Sequence, residues 1–283
     1  MPRDWDAATY DRVSDPQARW GERALGRLPL RGDEVVLDAG CGTGRVTERL
    51  AERLPRGRVV ALDGSAAMLA SARGRLARFG NRIEYVLADL VSPLPLRDPV
   101  DAVLSSATFH WVADHDALFR HLAAVIRPGG RLVADFGGRG NVASVLRVLA
   151  GIGDGWLGPA HFEGVLDTVR RLDAAGFVDV ECWLSDEPTR FEPGESFEAF
   201  VQAVVLGPHL DRLPPEARPA FVREVVDRLP EPVIDYVRLN VVAVRGTSIS
   251  ALASAAGGDY PDRARRRVAP GVTRPAETEE QDD

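Results

Sequence analysis

The chain has 283 residues, a formal net charge of −7, and no lysine, so all 35 strong cations are arginine. The acidic balance argues against a general nucleic-acid binder. The absence of lysine removes Schiff-base chemistry, pyridoxal-phosphate attachment and the lysine of a phosphate-binding loop. The two cysteines, Cys41 and Cys182, are far apart, with no CxxC or Cys/His cluster. That counts against a disulfide framework or a structural zinc site, and no metal is expected. The charged start MPRDWDAATYDR does not read as a signal peptide. No apolar run approaches the ~18 residues of a membrane span. A soluble, cytoplasmic protein without a membrane partner is expected.

Residues 1–34 carry helical patterning around Ala18, Ala24, Leu25 and Leu28 and read as an N-terminal helical lid. Residues 35–39 (VVLDA) read as a buried strand, continuous and β-branched. A helix from Thr43 to Leu54 ends at Pro55 and Gly57. Strands follow at 58–63 (RVVALD), 83–88 (IEYVLA), 100–105 (VDAVLS) and 131–136 (RLVADF). Helices at 65–79, N-capped by Ser65, and at 114–126 separate them. A helix near 162–175 and a strand at 178–184 complete a core spanning 35–184. Residues 185–232 look helical and proline-broken, and a close hairpin rarely needs so long a connection. They are expected to form a cap over the ligand cleft. A last core strand falls within 233–245. From Gly246, small residues, Arg265–Arg267 and the acidic TEEQDD read as a disordered tail, 246–283. Strands alternating with helices imply an α/β fold with a doubly wound, mostly parallel sheet. Its ligand is expected at the carboxyl ends of the strands.

The stretch VVLDAGCGTGRV, residues 35–46, selects the ligand. A dinucleotide fingerprint reads GxGxxG. Gly40 and Gly42 fit it, but the third position falls on Arg45, whose side chain would crowd the close helix–strand contact. The spacing is instead Asp38-x-Gly40-x-Gly42-x-Gly44. Glycines here permit a tight turn and close approach of a ligand to the backbone.

Together with Asp63 in VVALDGSAAML, Asp89 in YVLADL, and RPGGRLV before the fifth strand, this loop resembles the class I S-adenosylmethionine (SAM)-dependent methyltransferases over residues 35–136. The resemblance implies SAM as cofactor. Gly40, Gly42 and Gly44 then approach its methionine part, with Cys41 as a small space-filler in the loop. Asp38 fixes the loop and the amino group. Asp63 accepts from both ribose hydroxyls, which suits a carboxylate. Asp89 accepts from the adenine amino group, with the Leu90 amide nearby, and Met68 and Leu62 touch the base. Gly64 stands where bulkier residues are common, and Ser106 joins the cofactor set.

The stretches WDAATYDRVSDPQARW and FHWVADHDALFRHL are similar to the trans-aconitate methyltransferases and their small-molecule relatives. PQARW, residues 16–20, departs from the Arg-rich pattern of those enzymes, which counts against tricarboxylate recognition. His110, just past the fourth strand, is the candidate general base. Trp111, Tyr10 and Arg19 are the candidate acceptor contacts, Arg19 because a guanidinium fork matches a carboxylate. Arg190, His209 and Arg238 are weaker candidates of the same kind. His115 reads as helix-start surface, and its six-residue spacing from His121 does not suit metal ligands. The expected activity is methyl transfer to a small-molecule carboxylate or hydroxyl oxygen. An RNA or protein methyltransferase and a non-catalytic SAM binder are the alternatives. The loop spacing counts against a dinucleotide oxidoreductase, and the sequence leaves the oligomeric state open.

Overall fold

The computed structural model describes residues 15–247, except for the side chain of Asp15. Tyr10, the rest of the N-terminal segment and the tail from residue 248 lie outside the described residues. Among the described residues nine strands form: β1 Val35–Ala39, β2 Arg58–Asp63, β3 Ile83–Leu87, β4 Val100–Ser106, β5 Ile126–Gly137, β6 Phe177–Asp186, β7 Thr189–Arg190, β8 Val233–Ile234 and β9 Val237–Arg245. Seven of them make one sheet in the order β3-β2-β1-β4-β5-β9-β6, and β7 pairs with β8 apart from it. Strands β1 to β5 run parallel, while β9 is antiparallel between β5 and β6. The sheet is thus α/β and mostly parallel, as the alternating pattern implies.

The strands read as continuous apolar runs because helices cover both faces. On one face Leu37, Ala39, Val60, Leu62 and Val103 pack with Leu118, Phe119 and Leu122. These last three lie on α4, His115–Val125. On the other face Val36, Val59, Ala61, Ala102 and Leu104 pack with three helices. These are α1 Asp15–Gly26, α2 Arg45–Glu52 and α3 Ala66–Leu76. Ser65 caps α3 as expected, accepting from Met68 N–H at 3.2 Å.

Three features differ from the sequence reading. Ala24, Leu25 and Leu28 are buried in the second face, so this part of the N-terminal segment is a sheet-covering helix. A helix α5, Ala143–Ala150, escapes the pattern altogether. It packs with α7 Glu195–Phe200, α8 Gly207–Asp211 and α9 Arg218–Arg228 in a separate apolar cluster that also includes Trp20. A division at residue 184 therefore cuts across the packing, because part of this helical layer comes from the chain just after β5. Finally, His115 is buried at 2% exposure, its Nε2 bonded to the Phe109 carbonyl at 2.9 Å. Helix α6, Val165–Ala174, lies close to expectation. No helix among the described residues is long and apolar enough to cross a membrane.

Gly57 does more than end a helix. A Cβ there would lie 2.2 Å from the Glu34 carbonyl oxygen. That carbonyl accepts from Arg58 N–H at 3.0 Å, and the β1–β2 register starts beside it at Val35 and Arg58. The obstacle is backbone and cannot rotate away. Gly57→Ala is expected to destabilise by about 1–3 kcal/mol, the usual cost of overpacking. A lower urea midpoint with an unchanged denaturant slope checks it.

Candidate active site

A cavity of about 520 Å³ opens at the carboxyl ends of β1, β2 and β4, between the sheet and the helical layer. The glycine loop forms its floor. Gly40 N–H and Cys41 N–H both donate to the Leu62 carbonyl, at 2.8 and 2.9 Å, which pins the loop to β2. Gly40 has a φ of +86°, and a Cβ there would collide with the Thr108 side chain at 2.2 Å. Gly42, at φ +53°, lines the cavity and has nothing within 4 Å of a Cβ position. Its backbone is open to a ligand.

Asp63 stands beside it at the end of β2. Its Oδ2 accepts from Gly42 N–H at 2.8 Å and its Oδ1 from Ser65 N–H at 2.9 Å. Each oxygen keeps a further lone pair. Burial pushes its pKa up, against the pull of these backbone bonds. Gly64, Met68, Asp89, Leu90, Leu62 and Ser106 line the same cavity. Asp89 Oδ1 accepts from Val91 N–H at 3.2 Å. Ser106 Oγ is buried with no hydrogen-bond partner.

Asp38, Cys41 and Gly44 do not line the cavity. Asp38 is 2% exposed beneath the loop and accepts from Thr47 Oγ1 at 2.7 Å. Burial pushes its pKa up to about 7, the Thr47 bond opposes this, and the charge of Asp63 adds to it. Cys41 is packed into the core, and burial pushes its thiol well above the ordinary range. Gly44 sits against Leu76 and Ala72 of α3.

His110 and Trp111 line the acceptor side, on a 3-10 turn at Phe109–Trp111 with their rings 4.8 Å apart. Gly137 N–H donates to His110 Nδ1 at 3.3 Å. The ring proton therefore resides on Nε2, and the side chain offers a donor rather than a base. Burial holds its pKa well below the usual histidine value, and Arg238 and His115 lower it further.

Arg19 is exposed on α1 and lies outside the cavity lining, whereas Gln17 and Trp20, three apart on the same helix, reach it. Arg190 pairs with Glu231 at the surface. Arg238 is brought in: it lines the cavity, 2% exposed, with its guanidinium over the Trp20 ring at 4.2 Å. It pairs with fully buried Asp135 of β5, which the sequence reading missed. His209 of α8 also lines the cavity. Its Nε2–H donates to the Trp156 carbonyl at 3.1 Å, and its Nδ1 is buried without a partner.

An open loop backbone at Gly42 beside a carboxylate with spare lone pairs, facing an apolar wall, fits a nucleoside-bearing ligand. Residues 36–130 match the model of a methyltransferase domain. Phosphoethanolamine N-methyltransferase 2 of Haemonchus contortus, solved with S-adenosyl-L-methionine, shares the fold at a TM-score of 0.58 and 17% identity, over 85% of this chain and 57% of that one. The class is thus that of the SAM-dependent methyltransferases, and SAM is the cofactor. The chain is 33% identical over 234 residues to a trans-aconitate 2-methyltransferase of Methylobacterium radiotolerans, covering 77% of this chain and 86% of that one. It is 30% identical over 258 residues to the same enzyme of an Azoarcus species, covering 85% and 99%. The chain belongs to the family of SAM-dependent methyltransferases that includes the trans-aconitate 2-methyltransferases.

The pKa of Asp38 carries a stability consequence. Between its ordinary value near 4 and about 7, the folded protein keeps a proton that the unfolded chain has lost. Stability is therefore full below about pH 4 and falls as pH rises through 7, by on the order of 4 kcal/mol. Asp38→Asn preserves the Thr47 bond and removes the buried charge. It is expected to raise the urea midpoint at pH 8 and to leave it unchanged at pH 4.

Proposed function

We propose that the protein is a carboxyl O-methyltransferase acting on a small-molecule acid. When bound, SAM supplies an electrophilic methyl group on a sulfonium. The chain's own residues bind, align and exclude water. In this reading Asp63 holds the ribose hydroxyls with its spare lone pairs, and Asp89 with the Leu90 amide holds the adenine amino edge. Leu62, Gly64 and Met68 flank the base. The loop Gly40-Cys41-Gly42-Thr43-Gly44 carries the methionine part over Ser106, with Asp38 beneath it as counter-charge to the ammonium.

The observation that carries the carboxyl assignment is the Gly137 bond to His110 Nδ1. At the end of β4 the structure offers an N–H donor. A carboxylate, with an ordinary pKa of about 4, is already ionised and needs no base. His110 Nε2–H can orient one acceptor oxygen while the other attacks. Alignment alone can supply about 7–11 kcal/mol of such a barrier. Helices α5, α7, α8 and α9 act as the cap, and excluding water strengthens the attraction between carboxylate and sulfonium. The mostly apolar cavity and the acidic net charge support a small acceptor over RNA. Two free thiols suit a reducing, cytoplasmic setting. A second reading, a hydroxyl acceptor, is favoured by one observation: the unpartnered His209 Nδ1 is a candidate base.

Turnover against pH separates the two. At saturating SAM, kcat is expected to be flat from pH 6 to 9, and His110→Ala should lower it without adding a pH limb. A rising limb that disappears in His209→Phe would instead assign the hydroxyl reaction. For the cofactor, Asp63→Asn is expected to weaken SAM binding by about 10–100-fold, the worth of a charge-assisted hydrogen bond. Titration calorimetry measures it, and an unchanged Kd removes Asp63 from the ribose site.

A further inference from the structure

The acceptor end of the cavity is mostly apolar, with Gln17, Asn141 and His209 as polar exceptions. Val142, Val145, Leu146, Leu149, Val204 and Val205 wall it. Two backbone irregularities deliver part of that wall. Val142 is left-handed at φ +50°, a costly state for a β-branched residue. Asp235 supports the turn after it, accepting from Ser144 N–H at 2.9 Å and Ser144 Oγ at 2.6 Å. A π-turn over Val201–Val205 brings Val204 and Val205 to the cavity.

Among the described residues, Arg238 is the one arginine in the lining. Its Nε donates to Asp135 Oδ1 at 2.7 Å and its Nη2 to the Asp135 carbonyl at 3.1 Å. Nη1 is left for an acceptor. The other charged side chains in the lining are Asp63 and Asp89, both acidic. One carboxylate can therefore be met by Arg238 Nη1 and His110 Nε2–H. Two more would face valine and leucine with no further cation among the described lining residues to pair them, a strongly unfavourable arrangement.

We infer that the acceptor is a monocarboxylic acid on an extended apolar body, of the medium-chain fatty acid type, and not a tricarboxylate. This rests on the carboxyl-transfer reading above. A lone pair of the carboxylate oxygen forms the new O–CH3 bond as the S–CH3 bond breaks and its electron pair returns to sulfur. The products are a methyl ester and S-adenosylhomocysteine, and no proton moves.

The test is a series of straight-chain acids from butanoate to dodecanoate, with trans-aconitate and the matching primary alcohols. Binding is measured by calorimetry on protein saturated with S-adenosylhomocysteine, and methyl transfer on protein saturated with SAM. Kd is expected to fall about fourfold per methylene, the equivalent of ~0.8 kcal/mol per buried CH2, until the cavity is filled. Ester formation should follow the same order, with trans-aconitate at least about a hundredfold poorer, as two unpaired buried charges require. Val204→Asn should flatten the chain-length series while SAM affinity stays unchanged, and Val205→Asn provides the same test if the first variant does not fold. A preference for trans-aconitate with no chain-length dependence overturns this inference and leaves the carboxyl reading standing. Methylation of the alcohols in place of the acids overturns both.

Discussion

One carbonyl organises the site. The Leu62 oxygen accepts both Gly40 N–H and Cys41 N–H, so the chain leaving β1 must turn across the end of β2. That turn needs positive φ at Gly40, Gly42 and Gly44, which glycine adopts without a Cβ penalty. It also aims Gly42 N–H at Asp63, so loop and carboxylate hold each other. Thr108 closes the arrangement from β4 by donating to the Gly40 carbonyl, in the space a Cβ on Gly40 would occupy. The cost falls on Asp38, sealed beneath the loop, where burial opposes its charge. A cationic ligand above the loop would relieve that cost.

The other half of the site hangs on the Arg238–Asp135 pair. It joins β9 to β5 inside the sheet, and Arg238 in turn stacks on Trp20, which packs edge-on to Tyr236 at 4.8 Å. Arg27, in the turn just past α1, reaches the same region, bonding Asn240 Oδ1 at 2.6 Å. A buried ion pair is poor evidence of stabilisation, because desolvation offsets the attraction. Its placement explains more than its energy does. It fixes a guanidinium beside the cavity and ties α1, the sheet and the helical layer to one buried charge.

The placement of the glycine loop and Asp63 was legible because its determinants are local. β1 and β2 occupy the expected residues, and the loop spacing with Asp63 lies within one βαβ unit. The rest depends on partners distant in sequence. Helix α5 begins at a left-handed Val142 with no side-chain cap of its own, and the carboxylate serving its first turn is Asp235, 91 residues away. A local pattern carries no trace of that. Arg19 and Trp20 are neighbours in sequence, yet Trp20 is buried at the cavity and Arg19 is exposed; periodicity alone did not fix which face of α1 turns inward. His110 was correctly placed at the end of β4, but its protonation is decided by the Gly137 N–H, 27 residues on. Asp135 and Arg238 meet only because β5 and β9 pair antiparallel.

This split between local and distant determinants bears on specificity. Residues 38–90 form the glycine-loop end of the cavity, and much of their geometry is set by backbone bonds. The acceptor end is assembled from six separate segments, around residues 17–20, 106–113, 141–149, 157–162, 204–209 and 236–238. The valines and leucines facing the acceptor belong to, or pack against, the cluster that holds the helical layer together. A change from apolar to charged there would alter the layer's packing as well as the ligand. Moving from an acidic to an apolar acceptor demands less of the fold, since apolar walls add to the cluster. A chain can therefore keep the loop and overall similarity of its family while the far wall of its cavity selects a different acid.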